Sequence, residues 1–276
     1  MLRRQLLQSA LLLPLGALAQ SQKDAASSAS TEPISDSFPV LPPQLALDTL
    51  DAAHFDLDRL KALVEARPSL ANAAVDWGFG DWETPLAAAS HMGNRAIAEY
   101  LISRGAKPTI FSAAMLGHLE VVKAFIAAYP GIQRVPGQHG VTLLAHARIG
   151  GTPAAPVLEY LRSRGDADMP APAPLTEAET KSLLGVYIFG SHPTERVEVS
   201  WDPKMYGTKS YTYAPQLSWT REGTWDRPLF HLGEHTFYPA GTPSVKIRFV
   251  NDSGGTLMTV TDAETVLTAR KRVDKK

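Results

Sequence analysis

The sequence predicts a two-domain protein of the α+β class, with an N-terminal helical solenoid followed by an antiparallel β-domain. Residues 45–165 are rich in Ala and Leu at helical spacing, which Gly and Pro interrupt at regular intervals. After residue 184 the composition changes, and 12 of the 22 aromatic residues fall there among Val, Thr and Ile. This composition is typical of strands. The Pro/Ala-rich residues 166–174 lie between the two patterns and predict a linker.

Residues 1–19 have the three parts of a secretory signal peptide: Arg3 and Arg4, a short apolar run, and an A-x-A ending at Ala19. The run is shorter than the roughly 20 residues that span a bilayer. We expect cleavage near Ala19 and a periplasmic or secreted bacterial protein, exported by the Sec or the twin-arginine route. A disordered or membrane-lying N-terminus is the alternative. Residues 20–44, rich in Ser, Ala and Pro, predict a disordered linker.

Composition and charge exclude several classes of protein. Lys and Arg number 27 against 28 Asp and Glu, so the basic surface of a nucleic-acid-binding protein is not expected. The chain has no cysteine, which excludes disulfides, thiolate catalysis, Cys-ligated zinc and a lipid anchor on Cys. Serine-hydrolase, phosphate-loop and dinucleotide motifs are also missing from the sequence. We therefore expect a protein that is not an enzyme and that carries no cofactor, metal or membrane span.

Short motifs recur along the helical region. Residues 84–93 read TPLAAASHMG, residues 117–122 read GHLEVV, and residues 142–151 read TLLAHARIGG. These segments resemble the ankyrin-repeat family, whose units run about 33 residues and begin with a T-P-L motif. The resemblance implies about four irregular repeats, the first of them degenerate and starting near Ala52, and a binding scaffold without catalysis. A helical hairpin array of another family is the alternative.

Individual residues of the repeats have expected roles. Thr84 should cap a helix that begins at Pro85, and Gly93, Gly117 and Gly151 should end helices. Only 24 residues separate Gly93 from Gly117, so we expect that junction to lack the β-hairpin finger of the family. Ala87 and Ala145 replace the usual His of the repeat. The expected buried stripe of the third outer helix is Leu119, Val121, Val122 and Phe125.

The resemblance implies that a protein partner would bind the concave face, which finger tips and inner helices form. The residues expected there are Trp77, Phe79, Trp82, His91, Met92, Met115, Leu116, His139 and His146. Exposed Trp and Met are enriched at interfaces. The alternative for Trp77 and Phe79 is that they cover the top of the first repeat pair.

Residues 175–272 contain short alternating segments separated by turn signals, which predict seven or eight antiparallel strands in a β-barrel or a half-open sandwich. His231, Glu234 and His235 match the H-x-x-E-H pattern of inverted zincins. That chemistry needs a helix, whereas Gly233 and the following Thr-Phe-Tyr segment favour a turn and a strand. We expect a turn with two exposed histidines and no zinc.

These observations predict an exported, non-catalytic module that binds an unidentified protein through the ankyrin face. The alternative is a small-molecule-binding or hydrolytic protein whose site lies in the aromatic-rich β-domain. An open barrel with converging polar side chains would favour this alternative, and a filled barrel would exclude it. Because residues 166–174 are the only predicted connection, we expect the two domains to unfold separately.

Overall fold

A computed structural model describes residues 39–192, 194–202, 216–222, 224 and 226–272 of the 276-residue chain. The predicted signal peptide and most of the predicted linker at 20–44 lie outside the described residues. From Leu41 onward the chain forms one compact unit. This unit contains both the helical region and the β-domain, so the two are described together.

The helical region is a stack of helix pairs, as the sequence predicts. In the described residues the helices that form the pairs are α1 (Pro43–Phe55) and α2 (Leu57–Ala66), α3 (Pro85–His91) and α4 (Arg95–Ser103), α5 (Ile110–Leu116) and α6 (Leu119–Ala128), and α7 (Leu143–Ile149) and α8 (Ala155–Arg164). The first helices of neighbouring pairs contact one another in the order α1, α3, α5, α7. Small residues such as Ala88 and Ala114, both fully buried, let these helices approach closely.

The start and end signals of the repeats act where the sequence places them. Thr84 accepts a hydrogen bond from the Ala87 amide at 3.2 Å, and Thr142 accepts one from the Ala145 amide at 3.1 Å. Gly117 ends α5 in the left-handed conformation, with φ of 81°. These contacts satisfy backbone groups that a helix end would otherwise leave without partners.

One position of the outer-helix stripe is wrong. Val121 is 45% exposed, whereas Val122 and Ile126 are buried in the core of the last two helix pairs. Residues 122 and 126 are one helical turn apart and share a face, and residue 121 lies about 100° away from residue 122 around the helix. The apolar residues at 119–126 are therefore more numerous than the buried face of the helix can hold.

The first finger is a β-hairpin of two short strands, β1 (Val75–Asp76) and β2 (Trp82–Glu83). Between α4 and α5 only six residues, 104–109, connect the helices, and none of them is in a strand. This agrees with the short Gly93-to-Gly117 spacing. The hairpin at 75–83 is referred to below as the finger.

The β-domain is a closed antiparallel barrel and not a half-open sandwich. Its eight strands pair in the order β10-β3-β4-β5-β6-β7-β8-β9. Their bounds are β3 (Gly185–Phe189), β4 (Arg196–Asp202), β5 (Gln216–Thr220), β6 (Arg227–Gly233), β7 (Thr236–Pro239), β8 (Lys246–Asp252), β9 (Gly255–Asp262) and β10 (Thr265–Lys271). A short helix that the sequence did not predict, α9 (Glu177–Leu183), precedes the barrel, and Leu183 packs into the barrel core.

The middle of the barrel is filled by apolar side chains. The largest are Tyr187 and Phe237, both fully buried, and the Tyr187 hydroxyl donates to the Leu183 carbonyl at 2.8 Å. Filling of this kind is usual for eight strands, whose interior is just wide enough for side chains. The filled middle excludes a ligand there, so any cavity must lie towards an end.

The H-x-x-E-H segment lies on a strand and a turn, as expected, but one of its histidines is buried. His231 is on β6 and 8% exposed, and its Nδ1–H donates to the Ala173 carbonyl at 3.0 Å. His235 lies in the turn, with φ of 51°, and its Nε2 is 3.4 Å from Glu179 Oε1. The prediction of two exposed histidines is therefore wrong: His235 is half-buried, and the buried His231 holds the 166–174 segment against the barrel.

Among the described residues, none of the helices combines the length and the apolar character that crossing a bilayer requires.

Candidate functional site

The finger has an unusual distribution of charge. Asp81 and Glu83 are 3% and 0% exposed, whereas Trp82 between them is 56% exposed. Side chains alternate along a strand, so Asp81 and Glu83 must share one face and Trp82 must take the other. Here the carboxylates occupy the inner face, which buries charge that needs partners.

Glu83 is the centre of a buried polar cluster. Trp77 Nε1 donates to its Oε2 at 2.8 Å, and His91 Nε2 donates to its Oε1 at 2.7 Å. His139 Nε2 lies 3.1 Å from Oε2, and His54 Nε2 lies 3.7 Å from Oε1. The three histidines come from α1, α3 and the loop before α7. One carboxylate thus joins the first two helix pairs to the loop that connects the third pair to the fourth.

The pKa values of the cluster follow from these contacts. Burial alone would raise the pKa of Glu83, but hydrogen bonds and charge from His139 and His91 hold it well below its usual range. Burial would lower the pKa of His139, yet its bonds to Asp81 and Glu83 raise the pKa to about 9. Burial lowers the pKa of His91. Glu83 is therefore ionised and His139 is its cationic partner at neutral pH.

Asp81 extends the cluster to the barrel. It accepts from the His139 amide and from His139 Nδ1, both at 3.0 Å. Its Oδ2 also lies 3.8 Å from Arg227 Nη2 at the start of β6. A Cβ on Gly241, in the turn after β7, would be 2.6 Å from the Asp81 carboxylate, so only glycine allows this approach.

Arg227 binds the finger backbone directly. It is 5% exposed, and its guanidinium donates to the Trp77 carbonyl at 2.6 Å and to the Gly78 carbonyl at 3.2 Å. Its Cζ lies 5.8 Å from the centre of the Phe79 ring, which in turn contacts the Trp219 ring. The helical region and the barrel are thus joined by buried polar contacts as well as by residues 166–174.

A cavity of about 560 Å³ lies at the end of the barrel that faces the finger. The residues that line it are Trp77, Gly78, Phe79, Phe189, Gly190, Glu195, Val197, Trp219, Arg221, Thr224, Arg227, Val260 and Leu267. Within the described part of the chain, the buried Nε1 of Trp219 has no hydrogen-bond acceptor. The volume of the cavity is within the range of small-molecule sites.

The structure separates the nine predicted interface residues into accessible and buried ones. His91, Met115, Leu116 and His146 are at most 6% exposed. The prediction that these four contact a partner is wrong, because they pack inside the helical stack. Burial lowers the pKa of His146 to about 3 and keeps it neutral. The accessible members are Trp82 and Phe79, exposed, and Trp77, Met92 and His139, half-buried.

Sequence reasoning missed the residues that organise this region, namely His54, Asp81, Glu83, Trp219 and Arg227. Two signals were present: the carboxylates at 81 and 83 have strand spacing, and His54 falls within the degenerate first repeat that starts near Ala52. Arg227 had no such signal, because its partners lie about 150 residues earlier.

Sequence comparison identifies one repeat of a known family within the helical region. The ankyrin-repeat family model matches residues 81–112. The match covers the second strand of the finger, α3, α4 and the first residues of α5, which amounts to one repeat. No curated protein matches the chain. The ankyrin repeat is a protein-interaction scaffold as a class.

Arg227→Ala is expected to lower the free energy of unfolding by about 2–3 kcal/mol, because two buried carbonyls and Asp81 lose a charged donor. We also expect scanning calorimetry to show one transition for the wild type and two for Arg227→Ala. This replaces the expectation of separate unfolding, since the linker is not the only connection.

Arg221→Ala is the control, because Arg221 is an exposed arginine near the same cavity that pairs with the exposed Glu195. Such a pair contributes little to stability. Two transitions already in the wild type, or equal effects of the two substitutions, would contradict this account.

Proposed function

We propose that this chain is an exported, non-catalytic protein-binding module whose four helix pairs form an ankyrin-type solenoid. The ankyrin match at residues 81–112 supports the binding role. The observation that carries the proposal is the side chain of Trp82, which is 56% exposed within this match. The partner is a protein, because the ankyrin repeat binds proteins as a class and tryptophan is enriched at protein interfaces.

The arrangement of the finger supports a role for Trp82 outside the fold. The fold buries Asp81 and Glu83, which are costly to bury, and leaves Trp82 in water. If packing alone selected these residues, the Trp would be expected on the inner face. Tryptophan is among the residues most enriched at the energetic centres of interfaces. Trp82 is therefore the proposed anchor for the partner.

Site-specific photo-crosslinking tests this proposal. A photoactivatable amino acid replaces Trp82 in one variant and Val121, also exposed and apolar but on α6, in the other. We expect a protein adduct in an extract of the source cells from position 82 and not from position 121. The same adducts from both positions, or none from position 82, would contradict the proposal.

Export is the second part of the proposal. The basic, apolar and A-x-A segments of residues 1–19 support it. The mature chain should begin near Gln20 and be recovered from the periplasm or the medium, which N-terminal sequencing of the purified protein measures. A chain that retains Met1 and stays in the cytoplasm would contradict export without affecting the binding proposal.

A second candidate function is the binding of a small apolar molecule in the cavity under the finger. The cavity of about 560 Å³ favours it, because the rings of Phe79, Phe189 and Trp219 line this space. The aromatic and aliphatic walls would exclude water from an apolar body. This candidate corresponds to the small-molecule-binding alternative that the sequence predicts, with its site at one end of the barrel.

An apolar fluorescent dye tests the second candidate. One dye per chain is expected to bind the wild type, and Leu267→Trp should block binding because Leu267 lines the cavity. Val266→Trp is the matched control, since its side chain points to the other face of the same strand. Unchanged binding in Leu267→Trp would exclude the cavity as the site.

A further inference from the structure

His54, Glu83 and His91 bring three metal-binding groups together. One ligand atom from each residue lies within 4.8 Å of those from the other two. The residues come from three separate elements: α1, the finger and α3. We propose that they form a binding site for Zn²⁺, a metal that takes two imidazoles and one carboxylate in many proteins. This departs from the expectation that the chain carries no metal.

The protonation of His54 suits a metal ligand. Its Nδ1 lies 2.8 Å from the Leu50 carbonyl, which can only accept, so Nδ1 carries the proton. In the neutral ring the Nε2 lone pair is then directed to the side where Glu83 Oε1 lies, 3.7 Å away. A backbone carbonyl that holds the second ring nitrogen is the usual support of a metal-binding histidine.

Two of the three distances between ligand atoms require only small movements. Zinc bonds of 2.0–2.1 Å in a tetrahedron separate ligand atoms by about 3.3 Å. The His91 Nε2 to Glu83 Oε1 distance of 2.7 Å must widen, and the His54 Nε2 to Glu83 Oε1 distance of 3.7 Å must shorten. Both changes are of about half an ångström, within reach of side-chain torsions. The metal would displace the proton from His91 Nε2, and the neutral ring would bind as its other tautomer, with that proton on Nδ1.

A route from solvent leads to this cluster. A cavity of about 280 Å³ is lined by Trp77 and by residues of α1 that include Asp48, Asp51 and His54. The His54 side chain is 22% exposed, whereas Glu83 and His91 are buried. The two aspartates also pair with Arg59, yet they make this side of the cavity acidic. An acidic opening raises the local concentration of cations.

Three protein ligands leave a fourth tetrahedral position. His139 Nε2 lies 3.1 Å from Glu83 Oε2, on the other oxygen of the same carboxylate. Its Nδ1 is hydrogen-bonded to Asp81, the carboxylate–histidine arrangement found behind metal ligands. A water completes the coordination while His139 is the protonated partner of Glu83, because a doubly protonated imidazole has no lone pair for the metal.

Zinc binding to the full chain, purified without a polyhistidine tag and stripped with a chelator, tests the proposal. Competition with a chromophoric zinc indicator should give one tight site per chain. His54→Ala should weaken zinc affinity by at least about tenfold, the lower end of the effect of losing even an outer-shell group. His118→Ala is the control, because His118 is exposed and starts α6 outside the cluster.

Cobalt absorption provides a second readout. Co²⁺ in the wild type and in His118→Ala should give the intense visible bands of a tetrahedral site, and His54→Ala should lose or shift them. If His54→Ala does not fold by circular dichroism, His54→Gln takes its place. No stoichiometric binding to the wild type, or equal affinities of the His54 and His118 variants, would overturn the proposal.

Discussion

Replacing Glu83 with Ala is expected to lower the free energy of unfolding by about 3–5 kcal/mol, the cost of removing one partner from a buried charge cluster. The substitution leaves Trp77 Nε1, His91 and the cationic His139 without their shared acceptor. Urea denaturation at neutral pH, with a chelator present so that metal does not contribute, measures the change. We expect a large loss of stability because Glu83 is buried, and not only because it is charged.

Glu99→Ala is the control for Glu83→Ala. Glu99 is an exposed glutamate of the same repeat that pairs with Arg95 along α4. An exposed pair of this kind contributes little, so the urea midpoint of Glu99→Ala should stay near that of the wild type. A Glu83→Ala protein as stable as Glu99→Ala would show that the cluster does not hold the helix pairs together.

Gly117→Ala is expected to destabilise the protein by about 3 kcal/mol. A Cβ there would lie 2.1 Å from the Pro153 carbonyl oxygen, so the backbone of the next pair must move. The left-handed φ of 81° adds a cost of about 1 kcal/mol for a residue with a side chain.

Gly105→Ala separates the two causes. Gly105 has nearly the same conformation, with φ of 87°, but a Cβ there would meet no atom within 4 Å. Thermal and urea unfolding of both variants should show a cost of about 1 kcal/mol for Gly105→Ala, and the difference measures the contact. Equal losses in the two variants would mean that the close approach of the helix pairs contributes nothing.

Local rules predicted the helical region well, because helix caps, prolines and glycines affect mainly the residues next to them in the sequence. Thr84, Pro85 and Gly117 are examples, and each has the role that its neighbours in the sequence dictate. The antiparallel strands of the β-domain also followed from strand-length segments and turns. The choice between a barrel and a sandwich did not, because closure depends on the pairing of β10 with β3, residues about 80 apart.

The candidate site was harder to predict, for two physical reasons. Strand alternation placed Trp82 opposite Asp81 and Glu83, but the pattern does not state which face is buried, and hydrophobicity favours burial of the Trp. The buried face was decided by His91, His139 and Arg227, which lie far apart in the chain and supply the hydrogen bonds and positive charge that the carboxylates need. The burial of Val121 was predicted wrongly for a related reason: the apolar residues at 119–126 are more numerous than one helix face can hold.

The finger therefore has two faces with different tasks. Its inner face holds the helix pairs to one another and, through Arg227, to the barrel. Its outer face presents Trp82 to solvent. This division is the central claim of the proposed function, because it assigns binding and stability to neighbouring residues that can be changed one at a time.

The most direct test is Trp82→Ala, measured for both stability and capture of the partner identified by crosslinking. We expect the urea midpoint to stay close to that of the wild type, while the affinity for the partner falls by about 2 kcal/mol, roughly thirtyfold. Val121→Ala, a control at an exposed apolar residue on α6, should change neither quantity. If Trp82→Ala instead unfolds easily and captures the partner as the wild type does, Trp82 serves the fold and the claim is wrong.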